Sequence, residues 1–337
     1  MRNWWEPCEI GRMTNSPIRR VLTAGEWTAR QQAHRARVEE LTAAHLRRRS
    51  HGERHPAWDF MFNYYPTTPA KLGRWHPGAG VGLEVPSDSA SEQGAGAPSR
   101  SLPSFKDQYG WWEWERCGVD YEGHAEEGTA WALDVTAHLD QRGKTIDYIE
   151  RLLRATAGRA PQLGCFGLHE WAMVYRDTPR HPEPLRLGRE ETDAVVEASQ
   201  LKCTHIDAFR FFTREAAPRN AHAPTRETQI QMEQPGCLHA TMDLYKWATK
   251  LGPLVPGELW LETFELACDV RRLDMEASPY DLREWGFEPV RIESPAGRAE
   301  YVRRQQGLME RGQRMRVELL DVIAEAREIA GATAAAR

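Results

Sequence analysis

The chain has 337 residues, 41% of them hydrophobic and 28% charged, and a formal net charge of −5. That length and composition predict a globular chain with ample core and exclude a disordered or fibrous one. The acidic balance argues against a protein that grips nucleic acid through a broad basic face. No stretch approaches the roughly 18 apolar residues of a membrane span, so no membrane partner is expected. The six cysteines, Cys8, Cys117, Cys165, Cys203, Cys237 and Cys268, form no CxxC pair. With no leader pattern after Met1, the expectation is a cytoplasmic protein with reduced thiols.

Residues 1–20 read as an irregular extension. Thr23, with Glu26 three residues on, makes a capping-box pattern and predicts a helix start. The helix runs to about residue 49, with Trp27, Ala33, Val38 and Leu41 inward. Arg47, Arg48 and Arg49, with Arg54 nearby, are the clearest basic cluster. They suit either the C-terminal dipole of that helix or a local patch for DNA phosphate. Residues 55–65 carry five aromatics, Trp58, Phe60, Phe62, Tyr64 and Tyr65, beside His55 and Asp59. They read equally as a pocket wall or as core. Residues 74–81 predict a turn into a strand, closing an N-terminal helical segment over 21–84. Residues 85–108, rich in Ser, Gly, Ala and Pro, read as a flexible loop or lid. A knot of Trp111, Trp112 and Trp114 follows.

Residues 109–296 form the central, site-bearing part. Helices are predicted at 145–157, 190–200, 237–250 and 263–276, the last with Phe264, Ala267, Val270 and Leu273 inside. Pro253 and Pro256 stop the third. A short strand is expected at 289–293. Residues 297–337 read as a long amphipathic helix and tail, which caps the fold or pairs two subunits into a homodimer. The fold class is mainly α with minor β, as a single large helical domain or two helical lobes around a central pocket.

Chemistry concentrates between residues 165 and 250. There a Cys, a His and a carboxylate fall together three times: Cys165 with His169 and Glu170, Cys203 with His205 and Asp207, Cys237 with His239 and Asp243. On a helix, His239 and Asp243 share a face, with Lys246 one turn further. Leu238, Met242 and Tyr245 form the adjacent apolar stripe. His205 and Asp207 share a face only in a strand, and Phe209, Phe211 and Phe212 bury them. Ionisable groups among such rings have shifted pKa values, as functional groups often do. Imidazole and carboxylate suit a divalent metal, zinc, iron or manganese. A site assembled from His169, His205 and His239, with Asp207 or Asp243, is therefore one expectation. There is no HExxH, because Met173 stands where its second His would be. A Cys–His pair can generate a thiolate, but buried structural cysteine is the simpler reading. Nucleophile-elbow, phosphate-loop and dinucleotide fingerprints are absent. Glu233 precedes a Pro235-Gly236 turn, as a carboxylate able to orient water or as part of a polar loop.

The stretch Gly164-Cys165-Phe166-Gly167-Leu168-His169-Glu170-Trp171-Ala172-Met173-Val174-Tyr175 resembles a bacterial family labelled 3-methyladenine DNA glycosylase. The resemblance continues through Cys203-Thr204-His205-Ile206-Asp207 to Phe212, Glu233 to His239, and Met275 to Leu282, and spans about residues 21–316. It implies hydrolysis of an N-glycosidic bond and release of an alkylated purine in DNA repair. The flat, cationic base would be flipped and stacked on aromatics. Trp171, Tyr175, Tyr64, Tyr65 and Trp247 would supply the rings, with Arg210, Tyr245 and Lys246 as further substrate contacts. Asp207, Asp243, Glu233 or Glu170 would supply the carboxylate. The residues read without the resemblance leave two alternatives. One is a metal-dependent enzyme acting on a small aromatic or nucleobase-like molecule. The other is a non-enzymatic helical protein that binds a ligand or a partner.

Overall fold

The computed structural model describes residues 18–84, 114–119 and 128–335. The expected extension at 1–20 (apart from its last three residues), the loop at 85–108, and Trp111 and Trp112 lie outside them. Strand β1 (Arg20–Leu22) leads into helix α1 (Ala24–Ser50), and the Thr23–Glu26 capping box is formed. The inward residues are Trp27, His34, Val38, Thr42 and His45, whereas Ala33 is exposed and Leu41 half-buried. Polar side chains enter this stripe with at least one hydrogen-bond partner each. His34 Nε2 bonds Leu72 O at 2.8 Å, and Thr42 Oγ1 donates to Val38 O at 2.7 Å.

Two single turns follow, α2 (Phe60–Asn63) and α3 (Pro69–Leu72), the latter capped by Thr68 with Pro69 in its first position. The expected strand after residues 74–81 is β2 (Val81–Glu84). It pairs parallel with β1, Leu22 opposite Leu83, and antiparallel with β4 (Gly128–Leu133), which pairs antiparallel with β3 (Trp114–Val119). The sheet order is β1-β2-β4-β3. A parallel pair needs a long crossover, and α1 supplies it.

The rest is helical: α4 (Val135–Ala157), α5 (Leu168–Ala172), α6 (Gly188–Glu197), α7 (Ile206–Phe209), α8 (Gln229–Met232), α9 (Leu238–Met242), α10 (Leu244–Leu251), α11 (Gly257–Glu276) and α12 (Pro295–Ala335). Helix α4 starts well before the predicted position, where Asp134 accepts a bond from Ala137 N at 2.8 Å. The single helix expected over 237–250 is divided at Asp243, which ends α9 and begins α10. The strand expected at 289–293 does not form. Its backbone bonds locally and to the end of α11, Val290 N to Glu276 O at 2.8 Å, and Val290 and Ile292 are buried as side-chain anchors. Mainly α with minor β is the observed class.

Helix α11 lies at the centre, packed against α1, α9, α10 and α12. The predicted Phe264, Ala267, Val270 and Leu273 are all buried in it. Helix α12 returns along α4, α9, α10 and α11, burying Leu319, Ile323, Ala326 and Ile329. Large apolar side chains exposed among the described residues are Leu46, Trp285 and Val317, scattered singly. No helix among those residues is long and apolar enough to cross a membrane.

Candidate metal centre

Gly167 adopts φ 73°, and a Cβ there would meet Ala277 Cβ at 3.2 Å, so glycine is what lets the chain turn tightly into α5. Trp171 Nε1 then donates to Ala277 O at 2.8 Å and ties α5 to the end of α11. These two features bring His169 onto Asp274. His169 Nε2 stands 2.8 Å from Asp274 Oδ1, and its Nδ1 stands 3.6 Å from Cys165 Sγ. Arg271, one turn before Asp274, donates to the other carboxylate oxygen at 3.0 Å. His239, on α9, meets the His169 ring edge to face with centroids 4.6 Å apart. His169, His239 and Asp274 are all buried, and each presents one ligand atom within 4.8 Å of the others. Two ligands held about 2.1 Å from one ion at a right angle are about 3 Å apart. The 2.8 Å contact of His169 with Asp274 is a hydrogen-bond distance, and the pair would have to open slightly to share an ion.

The electrostatics suit two of the three donors, His239 and Asp274, whereas His169 holds a proton against Asp274 that an ion would have to displace. Burial, reinforced by His169, pushes His239 down to about 3, so its imidazole is neutral and keeps a lone pair. Burial also opposes charge on His169 and Asp274. Their mutual attraction outweighs it, raising His169 well above the usual imidazole range and holding Asp274 well below the usual carboxylate range. Glu170 Oε1 lies 3.9 Å from His169 Nε2 and 3.8 Å from Arg271 Nη1. Burial, then the nearby Asp274, raises its carboxyl.

A second polar node adjoins the first. His205 stacks on His239 with centroids 5.3 Å apart. Its Nε2 lies 3.2 Å from Glu233 Oε1 and 3.5 Å from Asp243 Oδ2, close enough for ion pairing but poorly aligned for a linear hydrogen bond. Burial opposes charge on His205, but Glu233 and Asp243 outweigh it and lift the pKa to about 9. Lys246 Nζ bridges Asp243 at 2.9 Å and Asp207 at 3.1 Å. Tyr65 Oη lies 3.5 Å from Asp243 Oδ1, Gln229 Nε2 donates to Glu233, and Arg226 clamps Asp207 through both its terminal nitrogens. Arg210 Nε stands 3.4 Å from Asp207 at the exposed end of this row. Phe60 and Tyr64, both half-buried, stack with centroids 4.8 Å apart and span the two nodes. The Arg271 guanidinium lies 4.3 Å from the Phe60 ring and Lys246 Nζ lies 5.7 Å from the Tyr64 ring.

The fold thus brings together His169, His205, His239, Glu170, Glu233, Asp207, Asp243, Lys246, Tyr64 and Tyr65. It corrects the expected carboxylate ligand. Asp274 joins His169 and His239, while the expected third histidine, His205, lies outside that group against Glu233 and Asp243, and Asp207 is held by Lys246 and Arg226. His205 sits as the N-cap of α7 rather than in a strand with Asp207, so no strand face unites them. The signal for Asp274 was present in sequence. It follows Val270 by four residues and Ala267 by seven, so it falls inside the apolar stripe of α11. Arg271 carries the same signal, four residues after Ala267 and seven after Phe264, whereas Arg226 lies in a polar stretch and carries none. Among the rings, Trp171 is fully buried under Arg186, and Tyr245 is wedged between Tyr65 and Phe264. Tyr175 is buried with its hydroxyl on Glu197. Trp247 is buried with Lys246 and Lys250 over its ring. Protein atoms already occupy these surfaces. Arg47, Arg48 and Arg49 form the last turn of α1, as the dipole reading expects, and Arg54 is exposed beyond it.

Comparison of the chain with protein-family models, with curated proteins and with solved structures finds no match in any of the three.

Proposed function

We propose that this chain is an enzyme that uses a divalent metal, held by His169, His239 and Asp274, to act on a small aromatic or nucleobase-like molecule. The observation that carries the reading is the convergence, in a buried setting, of two imidazoles and a carboxylate from α5, α9 and α11. Two His and one carboxylate are a donor set used for non-haem iron and for zinc, which supply oxygen chemistry or a polarised, acidified water.

The surrounding residues have roles that suit such a centre. Cys165 Sγ sits on the ring nitrogen of His169 away from Asp274, which helps to orient the ring with Nε2 toward the carboxylate. Arg271 holds one oxygen of Asp274 and leaves the other toward the histidines. Glu170, with its raised pKa, is placed to donate or accept a proton. The stacked Phe60 and Tyr64 offer a flat ligand an apolar edge flanked by two cations. Metal analysis of gently purified protein is expected to find about one iron or zinc per chain. His239→Ala and Asp274→Asn each lose it. Protein without stoichiometric metal, or metal retained in both variants, rejects the reading.

The base-releasing activity implied by the glycosylase resemblance is separable in the same preparations. Its candidate carboxylates Asp207, Asp243 and Glu233 are already engaged by Arg226, Lys246 and Gln229. Release of free base from methylated DNA that survives chelation and is lost in Asp207→Asn would replace the metal reading.

A further inference from the structure

A separate concavity of about 610 Å³ lies between α3, α4 and α10. Lys71 from α3, Arg74, Arg142 from α4 and Lys250 from α10 line it, and none of its lining residues is a carboxylate. We propose that this cleft binds the phosphate group of a small phosphorylated molecule.

The charge pattern is the main argument. The chain is acidic overall, and many of its exposed cations, as well as its buried ones, lie against carboxylates. Lys71, Arg142 and Lys250 make no ion pair among the described residues. The contrast is sharpest on α10. Lys246 is neutralised by Asp207 and Asp243, while Lys250, one turn on, lines the cleft without a carboxylate. Arg142 and Lys250 are also close enough to oppose one another. Burial, followed by Lys246, lowers the Lys250 pKa, and Arg142 contributes to lowering both Lys250 and His138. Clustered like charges cost free energy that a bound anion removes. Phosphate fits better than a single carboxylate, since a phosphomonoester carries a charge of about −2 and three acceptor oxygens. Guanidinium and ammonium are its usual partners.

Shape points to a small molecule rather than a polynucleotide. The cations surround one hole of a size usual for ligand sites, about 300–1,000 Å³, and do not run as a stripe across a face. Its apolar wall is fixed in place. Trp260 Nε1 donates to Thr249 Oγ1 at 2.8 Å, and the His76 ring stacks on Trp260 with centroids 5.8 Å apart. The cleft is lined by none of the metal-centre residues, so this inference stands or falls apart from the metal reading.

The test is calorimetric titration of the full chain with inorganic pyrophosphate at constant ionic strength, with and without EDTA. Saturable binding is expected in both conditions. Arg142→Gln with Lys250→Gln, both at exposed positions, is expected to weaken it at least about tenfold while the thermal melt is unchanged. Four outcomes overturn the proposal: no saturable binding at millimolar pyrophosphate, binding abolished by EDTA, the same affinity in the double variant, or binding of a DNA duplex but not pyrophosphate through these residues.

Discussion

Asp207 shows how a single buried carboxylate is kept charged. Burial alone would raise its pKa, but Arg226 and Lys246 outweigh that and hold it well below the usual carboxylate range. The folded pKa is thus below the unfolded value of about 4. Asp207 contributes stability that is fully present above about pH 4 and is lost as pH falls through the folded value. Urea midpoints measured from neutral pH into acid should fall more steeply for the natural chain than for Asp207→Asn. Equal acid slopes would show that the cations do not stabilise the charged form. Asp207 was legible as a buried carboxylate because it stood among aromatics beside His205. Its partners were not, since Arg226 lies in an ordinary polar stretch.

Elements were most legible where a local signal marks their ends. The Thr23–Glu26 box starts α1 as read from sequence, with Thr23 N donating to Glu26 Oε2 at 2.9 Å and Glu26 N to Thr23 Oγ1 at 3.3 Å. Thr23→Ala should cost about 1 kcal/mol of unfolding free energy by chemical denaturation. The turn before α9 is more demanding. A Cβ on Gly236 would stand 2.6 Å from Gln162 O, a backbone atom that cannot rotate away, and Gly236 O accepts from Gln305 Nε2 at 2.6 Å. Gly236→Ala is expected to cost about 1–3 kcal/mol through overpacking and to shift α9, which carries His239. An unchanged denaturation midpoint would mean that the turn yields cheaply. The break at Asp243 was not legible, because the hydrophobic spacing continues across it while His205 holds its side chain from outside the helix.

At the scale of the molecule, the candidate centre joins α5, α9 and α11, and His169 and Asp274 are 105 residues apart in the chain. An ion held there binds the folded chain and not the unfolded one. At a free concentration about 100 times its dissociation constant it would add about 2.7 kcal/mol of stability, or roughly 4 °C in Tm for a chain of this size. Chelation should lower Tm by that order in the natural protein and leave Asp274→Asn unmoved. The same shift in both would place the ion elsewhere.

By itself the sequence determined the class of fold, most of the helices and the region where most of the clustered histidines and carboxylates lie. Those follow from local spacing, caps and composition, which act over a few residues. Only the tertiary structure decided which carboxylate meets the histidines. Packing of α5 on the end of α11 brings Asp274 to His169 and His239, while Asp243 meets His205 and Lys246, and Arg226 and Lys246 hold Asp207. It also decided that Phe60 and Tyr64, rather than the buried Trp171 and Tyr175, stand beside the site, and that four cations from separate elements surround one cleft. Such choices rest on contacts between residues far apart in the chain, and no local pattern encodes them.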